Sequence, residues 1–290
     1  MQYQQVLDES KQLFTDAQHD ISTYSTVYYY RALCHSQPEV VTQKLNANKQ
    51  INSTALQAVK LYGEYMISPD NQYTTVIQQL NELLSNEMTS NDITLKLIAA
   101  QIYINHNEYK SALELLHNET ENFESLSLQV QIYLSIYRVD LAEQKFAIMN
   151  SMDDDDILSL LCKCYINQYK GTNELVQSSL SEYTDLIDRY GANTISLNGS
   201  AVCHIQLKQY PTAVQLLKQS RQLSMTQINK PLPDTLINTI IAFTYMDKPD
   251  IITRVVAELQ QYYPGHSYFT QQNQLKQQFD KSASNYAIQA

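Results

Sequence analysis

The densest run of reactive side chains is "SMDDDDILS", residues 151–159. Four successive carboxylates could hold a divalent cation. Calcium loops, however, alternate their ligands and use glycine for a sharp turn, and this run does neither. A helix start suits it better, because acidic side chains complement the positive end of the helix dipole and accept hydrogen bonds from open amides. The run is therefore expected to cap a helix. Cys162 and Cys164 raise the question of metal or redox work. Two thiols spaced C-x-C on a helix diverge, and no second cysteine pair or histidine cluster follows. Together with Cys34 and Cys203 they read as free thiols in a reducing compartment, Cys162 as a packed one. His106 and His117 flank one expected helix, and His204 takes a slot that tyrosine fills elsewhere. None is spaced to pair with a nucleophile or a carboxylate, so all six histidines read as packed or solvated. Gly63, Gly171, Gly191, Gly199 and Gly265 form no phosphate loop or dinucleotide fingerprint. The expectation is a chain with no catalytic residue, no metal and no cofactor.

Binding remains, and composition narrows it. The chain has 290 residues, 5 glycines, 7 prolines and 22 tyrosines. So few turn residues among so many helix formers argue for an all-α protein. A net charge of −10 disfavours nucleic acid and anionic membrane as general partners, since both need clustered cations. No apolar run reaches membrane-spanning length, and the acid-bearing start "MQYQQVLDESKQLF" is unlike a signal or transit peptide. A cytosolic protein is expected.

The elements that would position a binding surface show up as internal repeats. "LIAAQIYINHNEYKSALELL", "SLQVQIYLSIYRVDLAEQKF" and "LNGSAVCHIQLKQYPTAVQLL" each hold a helix-period run, a polar break and a second run with alanine near its start. Ala112, Ala142 and Ala213 correspond, each followed four residues later by Leu116, Phe146 and Leu217. Twelve residues earlier stand Ala100, Val130 and Ala201. Tyr103 and Tyr133 share one slot, Tyr109 and Tyr210 another. Two antiparallel helices approach closely only where side chains are small, and aromatic rings fill the groove beside the contact. This pattern resembles the tetratricopeptide repeat. A further pair fits between the second and third if Ser179 is the small residue, Cys162 and Tyr165 match Ala100 and Tyr103, and "YKGTN" is a lengthened turn. Looser pairs precede and follow, the last stopped by Pro264-Gly265, and residues 266–290 are expected to form a helix capping the final exposed face. The expected architecture is one domain over 1–290, an α-solenoid with a right-handed superhelix of antiparallel helix pairs.

The wording of the repeats goes further. "ALQAVKLYGEY" (55–65), "AAQIYINHNEYKSALELLH" (99–117), "VQIYLSIYRVDLAEQKFAIMNSMDDDD" (130–156) and "LNGSAVCHIQLKQYPTAVQLL" (197–217) occur in that order, with "FDKSASNYA" closing the chain. Their order and spacing resemble the epsilon-subunit family of coatomer over nearly the whole length. The resemblance implies a non-enzymatic subunit of the COPI vesicle coat, which the GTPase Arf assembles from cytosol onto Golgi membranes. It implies retrieval from Golgi to endoplasmic reticulum and traffic between cisternae. The partner would be the C-terminal domain of the alpha subunit, with the other coat subunits reached through it and membrane contact indirect. That family has another helix ahead of the segment matching "YQQVLDESKQL", so the resemblance implies either a first repeat that is half missing or a start that lies too late.

Recognition is expected on the inner faces of the first helix of each pair. By repeat register these are Thr94, Leu97, Gln101 and Asn105, then Ser127, Gln131 and Ser135, then Asn198, Val202, Ile205 and Gln206. About half are expected to pack against neighbouring repeats instead. The alternative is a cochaperone-like adaptor that captures a peptide carboxylate. That needs lysine and arginine in the groove, and the set contains neither.

Overall fold

The computed structural model describes residues 24–47, 53–67 and 69–284. All regular structure among them is α-helical. In chain order the helices are α1 (Tyr24–Cys34), α2 (Pro38–Ala47), α3 (Thr54–Ile67), α4 (Pro69–Ser85), α5 (Ile93–Asn105), α6 (Tyr109–Leu116), α7 (Phe123–Ser135) and α8 (Val139–Met152). They continue as α9 (Ile157–Lys170), α10 (Asn173–Tyr190), α11 (Thr194–Gln206), α12 (Tyr210–Ile228), α13 (Pro233–Tyr245), α14 (Pro249–Tyr262) and α15 (Ser267–Ser284). The chain divides into two compact units, residues 1–182 and 183–290, with the boundary inside α10. The segment "YQQVLDESKQL" lies outside the described residues.

Backbone chemistry punctuates the pairs at fixed intervals. Asp92, Asn122, Asp156 and Asn193 each stand just before a first helix and accept a hydrogen bond from an amide in its first turn. Fifteen residues after each cap comes a residue with positive φ: Asn107 at 61°, Tyr137 at 62°, Gly171 at 69° and Lys208 at 62°. Asp247, at 53°, stands at the same distance from Leu232, which precedes α13 without a side-chain cap. At four of these turns the next amide donates back into the helix: Glu108 N to Tyr103 O at 2.8 Å, Arg138 to Tyr133 at 2.7 Å, Gln209 to His204 at 2.8 Å and Lys248 to Phe243 at 3.1 Å. This is the Schellman closure, which satisfies carbonyls that the helix end leaves open. The chain then reverses into the second helix, and within each unit antiparallel pairs follow one another, as in tetratricopeptide arrays.

Small residues sit where the helices of a pair converge. Ala100 and Ala112 are both fully buried in one cluster with Leu97, Tyr103, Leu116 and, from α7, Leu128 and Ile132. Val130 and Ala142 share the next cluster, against which Tyr133 and Phe146 pack, and Ala201, Ala213 and Leu217 share one with Ala242. Tyr109 lies against the first cluster, and Tyr210 stacks on Tyr245 at 5.2 Å and 4°. Ala112→Leu is expected to overpack this contact and cost roughly 1–3 kcal/mol, read as a lower denaturation midpoint.

Two details depart from the repeat register. In the α9–α10 pair the convergent residues are Cys164 and Ser179, whose Sγ and Oγ lie 3.8 and 3.5 Å from each other's backbone carbonyl oxygens. Cys164, not Cys162, stands eight residues after its cap, as Ala100, Val130 and Ala201 do. Cys162 packs instead among Leu126, Val130, Ala142, Met149 and Ile166. Tyr165 is half-buried, and the slot equivalent to Tyr103 holds buried Asn167. The "YKGTN" turn is not lengthened: α10 begins two residues after Gly171, as α6, α8 and α12 begin two residues after Asn107, Tyr137 and Lys208, and the three extra residues are absorbed as nearly one additional turn inside α10 before Ser179. The second departure is α15. Only Tyr268 and Phe269 pack against the cluster of Leu236, Ile240 and Leu259, and every residue from Thr270 to Ser284 is exposed. Among the described residues of the expected 266–290 capping segment, only its first turn packs on that cluster; residues 285–290 lie outside the described residues.

Candidate functional site

In the first unit α1, α3, α5, α7 and α9 lie side by side. Tyr28 and Arg31 of α1, His35 just beyond it, Gln101 of α5, Ser127 and Leu128 of α7 and Leu158 of α9 line a cavity of about 310 Å³. Arg31 Nη1 lies 2.7 Å from Glu124 Oε2, so an ion pair ties α1 to the start of α7. The rest of the lining is neutral apart from Asp156, whose carboxylate caps α9 by accepting from Leu158 N at 2.8 Å. Tyr28 is half exposed, at 50%, and is the large side chain the cavity offers to solvent.

His35 stands edge-on to the Tyr62 ring at 5.7 Å. Burial, reinforced by the Arg31 guanidinium, pushes it down from 6.5 to about 4, so it is neutral in the folded chain at physiological pH. The unfolded chain protonates it below 6.5, and that uptake opposes folding increasingly until the folded group also titrates near 4. The first unit is therefore expected to lose on the order of 2–3 kcal/mol between those limits. His35→Gln should flatten that part of the stability–pH profile, measured by denaturant titration at each pH.

The proposed recognition residues divide by environment. Gln101 and Ser127 meet in the cavity, although Ser127 is largely buried and donates to Glu124 O at 2.9 Å. Leu97 and Thr94 are buried, and Leu97 is consumed by the Ala100–Ala112 cluster. Asn105, Gln131 and Ser135 are exposed; Asn105 accepts from Gln101 Nε2 at 3.2 Å, and Ser135 Oγ donates to Gln131 O at 2.9 Å. In the second unit Val202 and Ile205 are half-buried and Gln206 is exposed.

Asn198 is a structural node. Its Nδ2 lies 2.8 Å from Thr194 O and 2.9 Å from both Ser220 Oγ and Thr235 Oγ1, while Oδ1 accepts from Asn238 at 3.3 Å. Ser220 and Thr235 are fully buried, so this network joins α11, α12 and α13. Next to it, a Cβ built on Gly199 would come within 2.2 Å of Tyr183 Cζ. The tip of the buried Tyr183 ring thus lies against the α11 backbone at Gly199.

Other groups singled out by reactivity have structural places. Asp156 caps α9, and Asp153 closes α8. All four cysteines are buried thiols, and burial pushes Cys34 and Cys162 up to about 12. His106 lies 3.2 Å from the Tyr65 hydroxyl and stacks on Tyr73, and His204 lies 2.6 Å from Gln209 Oε1. Among the described residues no three histidine, cysteine or carboxylate side chains are grouped to hold a metal, and no helix is long and apolar enough to cross a membrane.

Repeat register missed the α1 contribution to the cavity. Tyr28, Arg31 and His35 are more than sixty residues from Gln101, and register compares equivalent positions without showing which pairs share a hollow. One signal was available: Arg31 is a lone cation inside the apolar, aromatic stretch "STVYYYRALC". A paired guanidinium is a common way to hold such a charge.

A family model described as "Coatomer epsilon subunit" matches residues 2–287. Coatomer subunit epsilon of Dictyostelium discoideum is 29% identical over 289 residues, 98% of this chain and 94% of that protein. Coatomer subunit epsilon-1 of Arabidopsis thaliana is 27% identical, covering 81% of this chain and 77% of that one. Among solved structures, a tetratricopeptide repeat protein from Parabacteroides merdae aligns with a TM-score of 0.58 at 14% identity, over 94% of this chain and 97% of that one. The APC/C hetero-tetramer Cut9-Hcn1 aligns at 0.66 and 10% identity, over 91% and 50%. At those identities the structures establish the fold alone, an all-α solenoid of tetratricopeptide type.

Proposed function

Because the chain belongs to the coatomer epsilon-subunit family, we propose that the cavity formed by its first unit receives part of the C-terminal domain of the alpha subunit. The family is a structural component of the COPI coat, not an enzyme, and its members associate with the other coatomer subunits. On this reading the chain reaches Golgi membranes as a peripheral member of the coat and serves Golgi-to-endoplasmic-reticulum retrieval and intra-Golgi transport. The carrying observation is the cavity lining: a half-exposed tyrosine, neutral polar groups and one cation already paired with Glu124. Such a lining favours a largely neutral, partly apolar segment, whose burial gives slow dissociation without a reactive group.

The same observation weighs against the carboxylate-capturing adaptor. Arg31 does place a cation in the cavity, contrary to the inner set read from register, but Glu124 occupies its guanidinium. The deciding experiment mixes this chain with the isolated C-terminal domain of the alpha subunit and follows co-elution and affinity at low and high salt. A stable complex with modest salt dependence is expected. Failure to bind that domain while binding another coat subunit would overturn the choice of partner, and capture of chaperone C-terminal peptides would favour the adaptor.

A further inference from the structure

A second groove lies elsewhere in the first unit, with a lining that shares no residue with the cavity. At 1.5 Å per residue, 17-residue α4 is about 25 Å long, whereas 8-residue α6, the second helix of the next pair, is only about 12 Å. One side of α4, with Tyr103 of α5 and Glu108 beyond it, lines an open groove of about 760 Å³. Tyr73, Ile77, Asn81 and Glu82 of α4 face it together with Tyr103 of α5 and Glu108 of the following turn.

The charge of this lining has one sign. Glu82 and Glu108 are its ionisable acids, and neither lysine nor arginine belongs to it. Glu108 gives one carboxylate oxygen to the Tyr73 hydroxyl, and Glu82 receives only a long contact from Gln78, at 3.5 Å. The lysines nearest in sequence, Lys96 and Lys110, pair with glutamates outside the lining, Glu119 at 2.7 Å and Glu114 at 3.8 Å. Tyr103 donates to Asn81 at 3.0 Å, which fixes the floor, and Ile77 supplies apolar surface. A lysine or arginine side chain matches both properties, laying its methylenes on Ile77 and its charge against a carboxylate of the lining.

We propose that this groove is a second interaction surface, separate from the α1–α5–α7–α9 cavity, and that it takes a peptide segment bearing lysine or arginine.

The test uses the whole chain and an eight-residue peptide alternating lysine with serine, followed by fluorescence anisotropy. Glu82→Gln/Glu108→Gln is expected to weaken binding at least about tenfold, because it removes both carboxylate charges. Asp154→Asn/Asp155→Asn removes the same net charge from an exposed loop elsewhere and is expected to change binding less than about twofold. A nitroxide on the peptide should broaden the side-chain amide signals of Gln78 and Asn81. Equal losses in the two double variants, broadening confined to other amides, or no binding by the unmodified chain would each overturn the proposal.

Discussion

Gly199→Ala is expected to destabilise the second unit by about 3 kcal/mol, at the top of the overpacking range. Position 199 lies inside α11, where alanine in place of glycine ordinarily stabilises by about 1 kcal/mol. The sign reverses because the new methyl would sit 2.2 Å from Tyr183 Cζ and 2.5 Å from Cε1. That ring is fully buried, so displacing it disturbs the packing around it. Chemical denaturation measures the loss. A double-mutant cycle with Tyr183→Leu isolates its cause: once the ring is gone, adding the methyl should cost little or nothing further. If Gly199→Ala instead raises the midpoint, the ring does not lie on this backbone.

Tyr28→Ala is expected to weaken association with the C-terminal domain of the alpha subunit by about 2 kcal/mol, roughly thirtyfold in Kd, with the denaturation midpoint nearly unchanged. Large aromatic side chains dominate interface energetics, and Tyr28 presents half its surface in a cavity whose other residues are mostly engaged. Titration calorimetry gives the affinity, and the midpoint shows that the fold is intact. Gly199→Ala serves as the opposite control, lowering stability in the other unit. An unchanged affinity for Tyr28→Ala would remove the cavity from the interface.

Much of the architecture was legible because close helix contact imposes a size limit on particular residues. Ala100, Ala112, Ala142, Ala201 and Ala213 stand out in sequence for that reason and are fully buried in the structure. The same criterion failed at α9. Cys162 and Cys164 are both small and both buried, so size could not choose between them, whereas the cap at Asp156 does. Counting from the cap places Cys164 at the convergence point and Asn167 in the aromatic slot. Of the residues read from register, Gln101 and Ser127 line the cavity, whereas Leu97 packs in the Ala100–Ala112 cluster and Asn198 belongs to a buried polar network. A polar or apolar letter does not say whether a neighbour has already taken its surface. Gly199 posed a related problem: its meaning lies in Tyr183, sixteen residues earlier and on another helix.

The caps and positive-φ turns place the controls on helix length inside each pair. An insertion between one turn and the next cap can lengthen a helix while both flanking boundaries keep their residues, as the extra turn of α10 does. Length variation between relatives is therefore expected to cluster in second helices and their exits, in steps near whole turns. The stretch from cap to turn, fixed at fifteen residues in five pairs, should resist insertion even where its side chains are exposed.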